Sequence, residues 1–507
     1  MDLKLDLSLN NKEELRTDSA IQKGNPDRVL KKSNPRIGFP KGKIRIFGHF
    51  VHSIFILLAL VEASVFLGIG YMVAAQLGIA TSGANPFVQI WHNILLISLI
   101  FTLSMSVMNL YYSRQRERFA GILVRLVVAY LVSIAAILLI HKAFPILFLG
   151  HEEELKWVVV LAFFAIAILR AVFYQFIDGK ALKRRVLVLG ADEKANTIAE
   201  LRRKSDCRGF EVAGFLPVAG NGIPQVLENR LLTVQSSICD YAKENNLDEI
   251  VVALDDRRQQ LPMDDLLDCR MSGIEVTEVL DFFEREAGNI RVDLVSPNWF
   301  IHSDGFRLHY FRTLSKRLFD IIASSIILVV TLPICVITAL AIWLENGCGG
   351  PIFYSQERVG EGGTTFNVLK FRSMVTDAEK DGKAQWAVKN DARITRVGSV
   401  IRKYRIDEVP QVINVLFGDM SLVGPRPERP EFVKELSGLI PFYGERHRVK
   451  PGITGWAQTC YTYGSSHKDS VEKLQYDLYY VKNHTLLLDI SVLMQTVEVV
   501  LFGRGAR

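Results

Sequence analysis

Cysteine is scarce in this 507-residue sequence, and the six cysteines are scattered. They form no C-x-x-C pair and no His/Cys cluster. A disulfide framework needs paired spacings and a zinc site needs clustered ligands, so neither is indicated. This usage favours a reducing, cytoplasmic environment for the soluble parts of the chain.

The sequence also lacks a nucleic-acid-binding surface. Its formal net charge is only +6, and no run of Lys and Arg is interleaved with aromatic residues. Because nucleic acids are bound through such concentrated basic patches, we expect no nucleic acid partner. Residues 1–46 are polar and carry no apolar core, which predicts a disordered cytoplasmic tail without a cleavable signal peptide.

Apolar residues, in contrast, are abundant and unevenly spread: 49% of the chain is hydrophobic. Four apolar stretches each approach the ~20 residues that a helix needs to cross a bilayer. They are Val51 to Val73, Trp91 to Tyr111, Ala120 to Ile140 and Trp157 to Ile177. We therefore predict a bundle of four transmembrane helices over residues 47–179. Glu62 lies inside the first span, where we expect it to pack against another helix, with a functional role as the alternative.

The basic residues that flank these spans predict their orientation. Basic groups precede the first span, separate the second from the third and follow the fourth: Lys41, Lys43, Arg45; Arg114, Arg116, Arg118; Lys180, Lys183, Arg184, Arg185. The other two connections are uncharged or acidic. Since cytoplasmic loops carry the excess of Lys and Arg, both ends of the bundle are expected in the cytoplasm.

After the fourth span the pattern changes to alternating strands and helices. Short β-branched runs read "RRVLVLG", "FEVAGFLP", "EIVVAL" and "IEVTEV". They predict a small parallel, Rossmann-like α/β domain over residues 180–305. Asp192 stands where the dinucleotide fingerprint needs its second glycine, and a carboxylate there repels phosphate. A structural or regulatory role is favoured, and nucleotide binding stays the alternative.

A further apolar segment runs from Lys316 to Glu345. Pro333 interrupts it and removes a backbone hydrogen bond, and the chain that follows is rich in Lys and Arg. A helix that bends at Pro333 and returns to the cytoplasmic face fits both observations. We predict a re-entrant helix over about 316–345, with a fifth span as the alternative.

Two adjacent carboxylates follow in "YRIDEVPQVINVLFGD". Asp407 and Glu408 directly precede Pro410 and an amphipathic helix. Locally, they resemble an N-cap, in which a carboxylate meets orphan N–H groups and the positive end of the helix dipole. The other interpretation is a catalytic pair, and the segment alone leaves both open.

Basic residues surround this pair in the sequence. The segment "PIFYSQERVGEGGTTFNVLKFRSM" predicts two strands joined at Gly362 and Gly363, and the prolines of "GDMSLVGPRPERP" predict a non-helical loop. We take Lys370, Arg372 and Arg426 as candidate phosphate-binding residues. Asp407, Glu408 and Asp419 are the candidate nucleophile or magnesium groups. Together they point to phosphoryl chemistry on a lipid.

Successive motifs from Lys316 to the C-terminus resemble those of the bacterial sugar transferase family, the polyprenyl-phosphate phosphoglycosyl transferases. They are "KRLFD", "GPIFYSQERVG", "FNVLKFRSM", "RVGSVIRKYRIDEVPQVINVLFGDMSLVGPRPE", "KPGITGWAQ" and "LQYDLYYVKN". The upstream four-helix bundle and Rossmann-like domain resemble the large, exopolysaccharide-initiating members. The resemblance implies a mixed α/β catalytic domain over residues 306–507 with a re-entrant helix.

The resemblance also implies an activity. Such an enzyme binds a UDP-sugar with Mg²⁺, Asp407 attacks the β-phosphorus, UMP leaves, and undecaprenyl phosphate takes the phosphosugar. Glu408 supports Asp407 or the metal. Lys316, Arg317, Lys370, Arg372, Arg426 and Asp477 match family positions near the substrate. Members of this subgroup commonly use UDP-glucose or UDP-galactose, so one of these is the expected donor. The expected reaction is the first step of exopolysaccharide or capsule synthesis.

Further expectations follow from the same resemblance. The protein is expected in the bacterial inner membrane, beside other polysaccharide-assembly glycosyltransferases, and the four spans offer surface for a homodimer. A membrane-bound nucleotide-sugar dehydratase or epimerase is one rival interpretation, but no Tyr has a Lys four positions later. A non-enzymatic membrane scaffold is the other, and it leaves the motif series unexplained.

Overall fold

The computed structural model describes most of the chain. The described residues are 43–46, 49–76, 86–108, 110–111, 119–143, 152–177, 183–201, 209–218, 224–234, 236–255, 261–303, 306, 310–345, 347, 349–375, 393–461 and 466–501. Nearly all of the predicted tail over 1–46 lies outside the described residues.

The N-terminal region is helical. A short antiparallel hairpin, β1 (Lys43–Ile46) and β2 (His49–His52), precedes four apolar helices. These are α1 (Ser53–Gln76), α2 (Pro86–Val107), α3 (Phe119–Ala143) and α4 (Glu152–Ile177). The four helices coincide with the four apolar stretches of the sequence.

Length and hydropathy make several helices able to cross a bilayer. They are Phe55–Val73, Ile122–Lys142, Lys156–Gln175 and Tyr310–Glu345, and Trp91–Ser106 is a shorter apolar helix. The outward side chains are apolar, as lipid contact requires: Leu60, Leu99, Leu138 and Ile168 are all more than half exposed.

The interior of this helical region contains a buried ion pair. Arg170 of α4 approaches Glu62 of α1 with Nε 2.6 Å from Oε1, and its Nη2 donates to Oε2 at 2.8 Å. The Tyr111 hydroxyl also donates to Glu62, and Arg170 Nη1 donates to the Leu110 carbonyl at 3.0 Å. Glu62 therefore packs against another helix, as expected, and the pair neutralises a charge that would be costly in lipid.

Residues 175–282 form a compact unit around a four-stranded parallel sheet. The strands are β3 (Arg184–Leu189), β4 (Phe210–Leu216), β5 (Glu249–Val252) and β6 (Glu275–Glu278), in the order β4-β3-β5-β6. The connecting helices are α5 (Glu193–Ala199), α6 (Ile238–Glu244) and α7 (Met263–Met271). All four strands come from the predicted β-branched runs, and they are parallel, as predicted.

A second compact unit comprises residues 42–174 and 283–507. Helix α8 (Val279–Ala287) leads into its C-terminal part. The remaining helices are α9 (Pro297–His302), α10 (Tyr310–Glu345), α11 (Arg396–Lys403), α12 (Gln411–Phe417), α13 (Pro430–Leu439), α14 (Trp456–Cys460), α15 (His467–Asn483) and α16 (Leu486–Leu501). Its strands are β7 (Phe353–Val359), β8 (Thr365–Phe371), β9 (Ser421–Val423) and β10 (Gly452–Thr454).

Two small sheets organise this α/β domain. Strands β7 and β8 form an antiparallel hairpin, whose turn contains Gly362 and Gly363 at φ +65° and +82°, as the sequence predicts. Strands β9 and β10 pair in parallel, and Trp456, Tyr476 and Tyr480 lie in the core beside them. Two residues of the predicted 180–305 domain, Ile290 and Val292, are buried in this core.

Candidate active site

The Asp407–Glu408 pair lies on its own turn. Helix α11 ends at Lys403, Arg405 takes a left-handed backbone conformation (φ +56°), and Ile406–Glu408 form one turn of 3₁₀ helix. Pro410 then occupies the N-cap position of α12, which has no side-chain cap hydrogen bond. The two carboxylates are therefore not the caps of α12, although they directly precede it.

Three cations surround the Glu408 carboxylate. Arg426 Nη2 lies 2.8 Å from Oε1, Arg405 Nη1 lies 3.2 Å from Oε2, and Lys370 Nζ lies 3.7 Å from Oε1. Burial alone would raise the pKa of Glu408, but these cations hold it well below its ordinary range. Glu408 is thus held ionised. We call Lys370, Arg405, Asp407, Glu408 and Arg426 the site cluster.

Asp407 has the opposite electrostatic setting. Burial, and then the adjacent charge of Glu408, raise its pKa to about 6, although Lys370, Arg402 and Arg426 oppose the shift. Near neutral pH the carboxylate is therefore mostly ionised but less stabilised than an ordinary aspartate. Neighbouring carboxylates whose pKa values are pushed apart are typical of groups with different catalytic roles.

The β7–β8 hairpin positions the basic side chains. Lys370 lies near the end of β8 opposite Tyr354, and burial lowers its pKa. Arg372 directly follows β8, and its backbone N–H donates to Ile352 O at 2.9 Å. It is only 7% exposed, and its Nη2 has no hydrogen-bond partner among the described residues. A Cβ at Gly350 would approach Arg372 Nη1 to 3.1 Å, so glycine leaves room for this guanidinium.

Asp477 is linked to Arg426 of the site cluster through Arg446. Its Oδ2 is 2.8 Å from Arg446 Nη2, and both residues are buried. The same Nη2 donates to the backbone carbonyl of Arg426 at 2.9 Å. The structure therefore places Asp477 against Arg446, and a direct role at the substrate stays a prediction.

Lys316 binds other protein groups. Its Nζ donates to Asp489 Oδ2 at 2.7 Å, to Val423 O at 3.1 Å and to the Tyr480 hydroxyl at 3.2 Å. We call Lys316, Tyr480 and Asp489 the anchor cluster, because it fastens α10 to β9 and α16. All three ammonium hydrogens are engaged, so phosphate binding by Lys316, which stays a prediction, would require it to leave these partners.

Arg317 donates hydrogen bonds to backbone carbonyls at the C-terminal end of α12. Its Nη1 donates to Val415 O at 2.6 Å and its Nη2 to Leu416 O at 2.8 Å, while Lys450 Nζ donates to Gly418 O at 2.7 Å. Cations at a helix C-terminus bind the orphan carbonyls and complement the dipole. Arg317 thus holds the helix that follows the site cluster, and its predicted contact with substrate is untested.

Sequence reasoning did not select Arg402 or Arg405 as site residues. Arg402 is in the last turn of α11 and is close enough to stabilise the charge of Asp407. The i, i+3 spacing of Arg405 and Glu408 was a usable signal for their ion pair. Asp419, a candidate in the sequence, is 3.4 Å from Asn414 Nδ2.

The carboxylates fit Mg²⁺ only together with a ligand. Among the described residues no three His, Cys, Asp or Glu side chains group as a metal site. Mg²⁺ commonly takes one or two carboxylates and completes its shell with water and substrate phosphates. Asp407 offers the more available carboxylate, because both oxygens of Glu408 already meet cations. Binding of Mg²⁺ by Asp407 and Glu408 stays a prediction.

The fold and the site together define a class of protein. Apolar helices are joined to an α/β domain in which three cations surround Glu408, and Ile406, next to the carboxylate pair, packs against the cluster that contains Ile342 of α10. This arrangement defines a membrane protein whose site suits phosphorylated ligands. Residues 311–503 match the sequence profile of the family described as "Bacterial sugar transferase".

Three relatives illustrate the similarity. The chain is 42% identical over 239 residues to the UDP-N-acetylgalactosamine-undecaprenyl-phosphate N-acetylgalactosaminephosphotransferase of Aeromonas hydrophila, covering 47% of this chain and 55% of the relative. It is 35% identical over 324 residues to the UDP-glucose:undecaprenyl-phosphate glucose-1-phosphate transferase of Klebsiella pneumoniae (62% and 67%). It is 31% identical over 368 residues to the UDP-galactose-lipid carrier transferase of Erwinia amylovora (66% and 72%). The chain belongs to the bacterial sugar transferase family.

Proposed function

We propose that the protein transfers a hexose-1-phosphate from a UDP-hexose to undecaprenyl phosphate and releases UMP. The observation that carries this proposal is the site cluster, where a mostly ionised Asp407 adjoins a Glu408 ringed by three cations. Relatives named as a UDP-glucose:undecaprenyl-phosphate glucose-1-phosphate transferase and as a UDP-galactose-lipid carrier transferase support the same reaction. The product would be a diphosphate-linked lipid sugar, which starts exopolysaccharide or capsule synthesis.

The proposed mechanism has two displacements. An Asp407 carboxylate oxygen attacks the β-phosphorus, the bond from that phosphorus to the bridging oxygen breaks, and UMP leaves with the electron pair. A phosphate oxygen of undecaprenyl phosphate then attacks the same phosphorus, and the bond to Asp407 breaks. A carboxylate nucleophile in this way divides one difficult displacement into two.

The cations of the site cluster stabilise charge in both steps. Lys370 and Arg426 lie at the carboxylate pair and can contact the oxygens of the transferring phosphoryl group. Glu408 holds these cations in place while it stays ionised. Mg²⁺, when bound by Asp407 and Glu408, would neutralise charge on the diphosphate.

We further propose that α10 is re-entrant. Near its start, Asp320 accepts from Leu422 N at 3.1 Å. Near its end, Ile342 packs with Phe371 and Ile401 of the same domain. A straight helix of 36 residues would extend about 54 Å. Attachment of both halves to one α/β domain supports a bend at Pro333 that returns the chain to the same membrane face.

The location of the protein and the role of its parallel sheet are inferred from charge and fold. We infer the bacterial inner membrane, with the N-terminus and the catalytic domain in the cytoplasm, from the basic flanks of the helices. The parallel sheet of residues 175–282 supports a Rossmann-like fold, for which we propose a structural or regulatory role. A homodimer and contacts with other glycosyltransferases of polysaccharide assembly are also proposed.

The proposal extends to the donor sugar. UDP-glucose or UDP-galactose is our first proposal. UDP-N-acetylgalactosamine is a second candidate, because the relative named for that sugar has the higher identity of the three compared above, 42%.

The test uses the full chain in nanodiscs with Mg²⁺ and undecaprenyl phosphate. UDP-glucose, UDP-galactose and UDP-N-acetylgalactosamine are supplied separately, and UMP and the lipid product are measured. The proposal predicts equimolar UMP and lipid-linked sugar diphosphate from at least one hexose donor. Transfer of the N-acetyl sugar alone would replace the donor, and no transfer from any UDP-sugar would overturn the function.

A further inference from the structure

The Arg426 loop (residues 424–429) is held at four consecutive carbonyls. Gly452 N donates to Pro425 O at 3.0 Å, Arg446 Nη2 donates to Arg426 O at 2.9 Å, Arg358 Nη1 donates to Pro427 O at 3.2 Å, and Val359 N donates to Glu428 O at 2.9 Å. Two of these donors are arginine side chains. The loop itself contains Pro425 and Pro427, whose φ angles are fixed.

The two arginines reach the loop from different elements. Arg358 lies near the end of β7, where it also donates to Gln356 Oε1 at 2.6 Å and lies 3.7 Å from a Glu428 carboxylate oxygen. Arg446 belongs to the 3₁₀ turn Tyr443–Arg448. The loop is therefore clamped between a strand and a turn, and its Arg426 side chain reaches Glu408.

Arg446 is itself held from behind. It is 6% exposed, pairs with the buried Asp477 and donates to the Tyr443 hydroxyl at 2.7 Å. Its contacts thus run from Asp477 on α15 to the backbone of Arg426. These partners hold both terminal nitrogens of the guanidinium, and through Nη2 they hold the Arg426 carbonyl.

We infer that Asp477, Arg446 and Arg358 are positioning residues that act on the reaction through Arg426, by fixing the loop so that its guanidinium meets Glu408. This inference rests on the proposed function. It gives Asp477 a role without substrate contact, and it adds Arg358 and Arg446 to the residues that the reaction requires. Preorganised donors matter because small displacements of a charge-stabilising group lower the rate steeply.

A double-mutant cycle tests the inference. Arg446→Lys keeps a cation for Asp477 but loses Nη1, which holds the guanidinium on the Tyr443 hydroxyl, and the planar geometry with which Nη2 reaches both Asp477 and Arg426 O. Arg358→Gln removes the contact with Pro427 O at a less buried position. Each change is made in the wild-type chain and in Arg426→Ala, with Arg448→Lys as the control, since Arg448 lies on the same turn but is 67% exposed.

We expect Arg446→Lys and Arg358→Gln each to lower kcat/KM for the UDP-hexose about tenfold in the wild-type chain. In Arg426→Ala, where no guanidinium remains to be positioned, each should change the rate by less than about twofold. Arg448→Lys should change neither background. A general loss of stability would lower both backgrounds equally, so the cycle separates positioning from folding.

Equal effects in both backgrounds would overturn the inference, as would a wild-type rate in both variants. If Arg446→Lys fails to fold, the Arg358→Gln arm decides alone. Wild-type transfer is measured in the same experiment. Its absence would sink the proposed function, whereas active wild-type enzyme with additive effects would sink only the positioning role.

Discussion

The anchor cluster and the site cluster are two acid–base networks of the same α/β domain, and they differ in charge balance. In the anchor cluster one lysine faces one buried carboxylate, and the Tyr480 hydroxyl lies 2.6 Å from Asp489 Oδ1. In the site cluster three cations face Glu408, while Asp407 beside it stays partly exposed. The balanced network is closed, whereas the cation-rich one has capacity for an anion.

This difference in charge balance suits the anchor cluster to stabilising the fold and the site cluster to chemistry. A closed buried pair contributes to stability mainly by making its disruption costly. An open cluster with unequal charges attracts phosphate and stabilises developing negative charge. Substitutions in the two clusters should therefore fail in different ways: rate in the site cluster, stability in the anchor cluster.

The largest effect is expected at the nucleophile. Asp407→Asn should lower kcat by at least about 10⁴-fold, because an amide cannot form the proposed intermediate. Thermal unfolding should change little, since a neutral amide removes the repulsion from Glu408. Asp419→Asn changes the other aspartate that the sequence made a candidate nucleophile, and it should keep most activity. A near-normal rate in Asp407→Asn would place the nucleophile elsewhere.

Paired lysine substitutions sharpen the comparison directly. Lys370→Met should lower kcat/KM about 10²-fold with little change in the free energy of unfolding, because it removes charge stabilisation only. Lys316→Met should destabilise the protein by about 3–5 kcal/mol, because it leaves Asp489 buried without a cation. Chemical denaturation and steady-state kinetics of both variants check this. If Lys316→Met instead raises KM at normal stability, Lys316 binds substrate.

The pH dependence of stability tests the surroundings of the anchor cluster. Burial, then Arg312 and Lys316, lower the pKa of His484 from 6.5 to about 3, while Nδ1 lies 3.0 Å from Val481 O. Below pH 6.5 the unfolded chain therefore binds a proton that the folded chain refuses, so this contribution to stability falls as pH decreases toward 3. The loss of stability amounts to about 2 kcal/mol between pH 6.5 and 5.

The variant His484→Asn checks that sign. Its free energy of unfolding should show a shallower decline between pH 6.5 and 5 than the wild type, measured by urea titration at each pH. An equal slope in both proteins would assign the acid sensitivity to other groups.

The smallest effect is expected at the end of α12. Arg317→Met should cost about 1 kcal/mol, because the carbonyls of Val415 and Leu416 lose a charged donor. Lys450→Met, at the neighbouring carbonyl, should cost a similar amount and serves as the matched comparison. A rise in KM for the UDP-hexose with Arg317→Met alone would instead support its predicted contact with substrate.

Much of the architecture could be predicted from the sequence. Apolar runs of about 20 residues mark membrane helices because bilayer thickness sets their length. Alternation of β-branched runs with helical stretches marked the parallel sheet, and Gly362 and Gly363 marked the β7–β8 turn. These signals are local, so they can be recognised in a single sequence without knowledge of tertiary contacts.

The site could be predicted only in part. The sequence selected Lys370 and Arg426, which the fold brings to Glu408, but it could not separate them from Lys316 and Arg317. The difference lies in partners far along the chain: Asp489 is 173 residues from Lys316. Likewise Pro410 takes the N-cap position of α12, so Asp407 is not the cap of that helix, and only the observed boundary of α12 reveals this.

The proposed nucleophile can be tested most directly without the lipid acceptor. The full chain in nanodiscs, with Mg²⁺ and a UDP-hexose labelled in the β-phosphate but no undecaprenyl phosphate, is analysed by mass spectrometry and UMP assay. We expect one UMP released per active site and one labelled phosphohexose on Asp407, which added undecaprenyl phosphate removes. UMP release that occurs only with the acceptor present, with no labelled protein, would contradict this expectation.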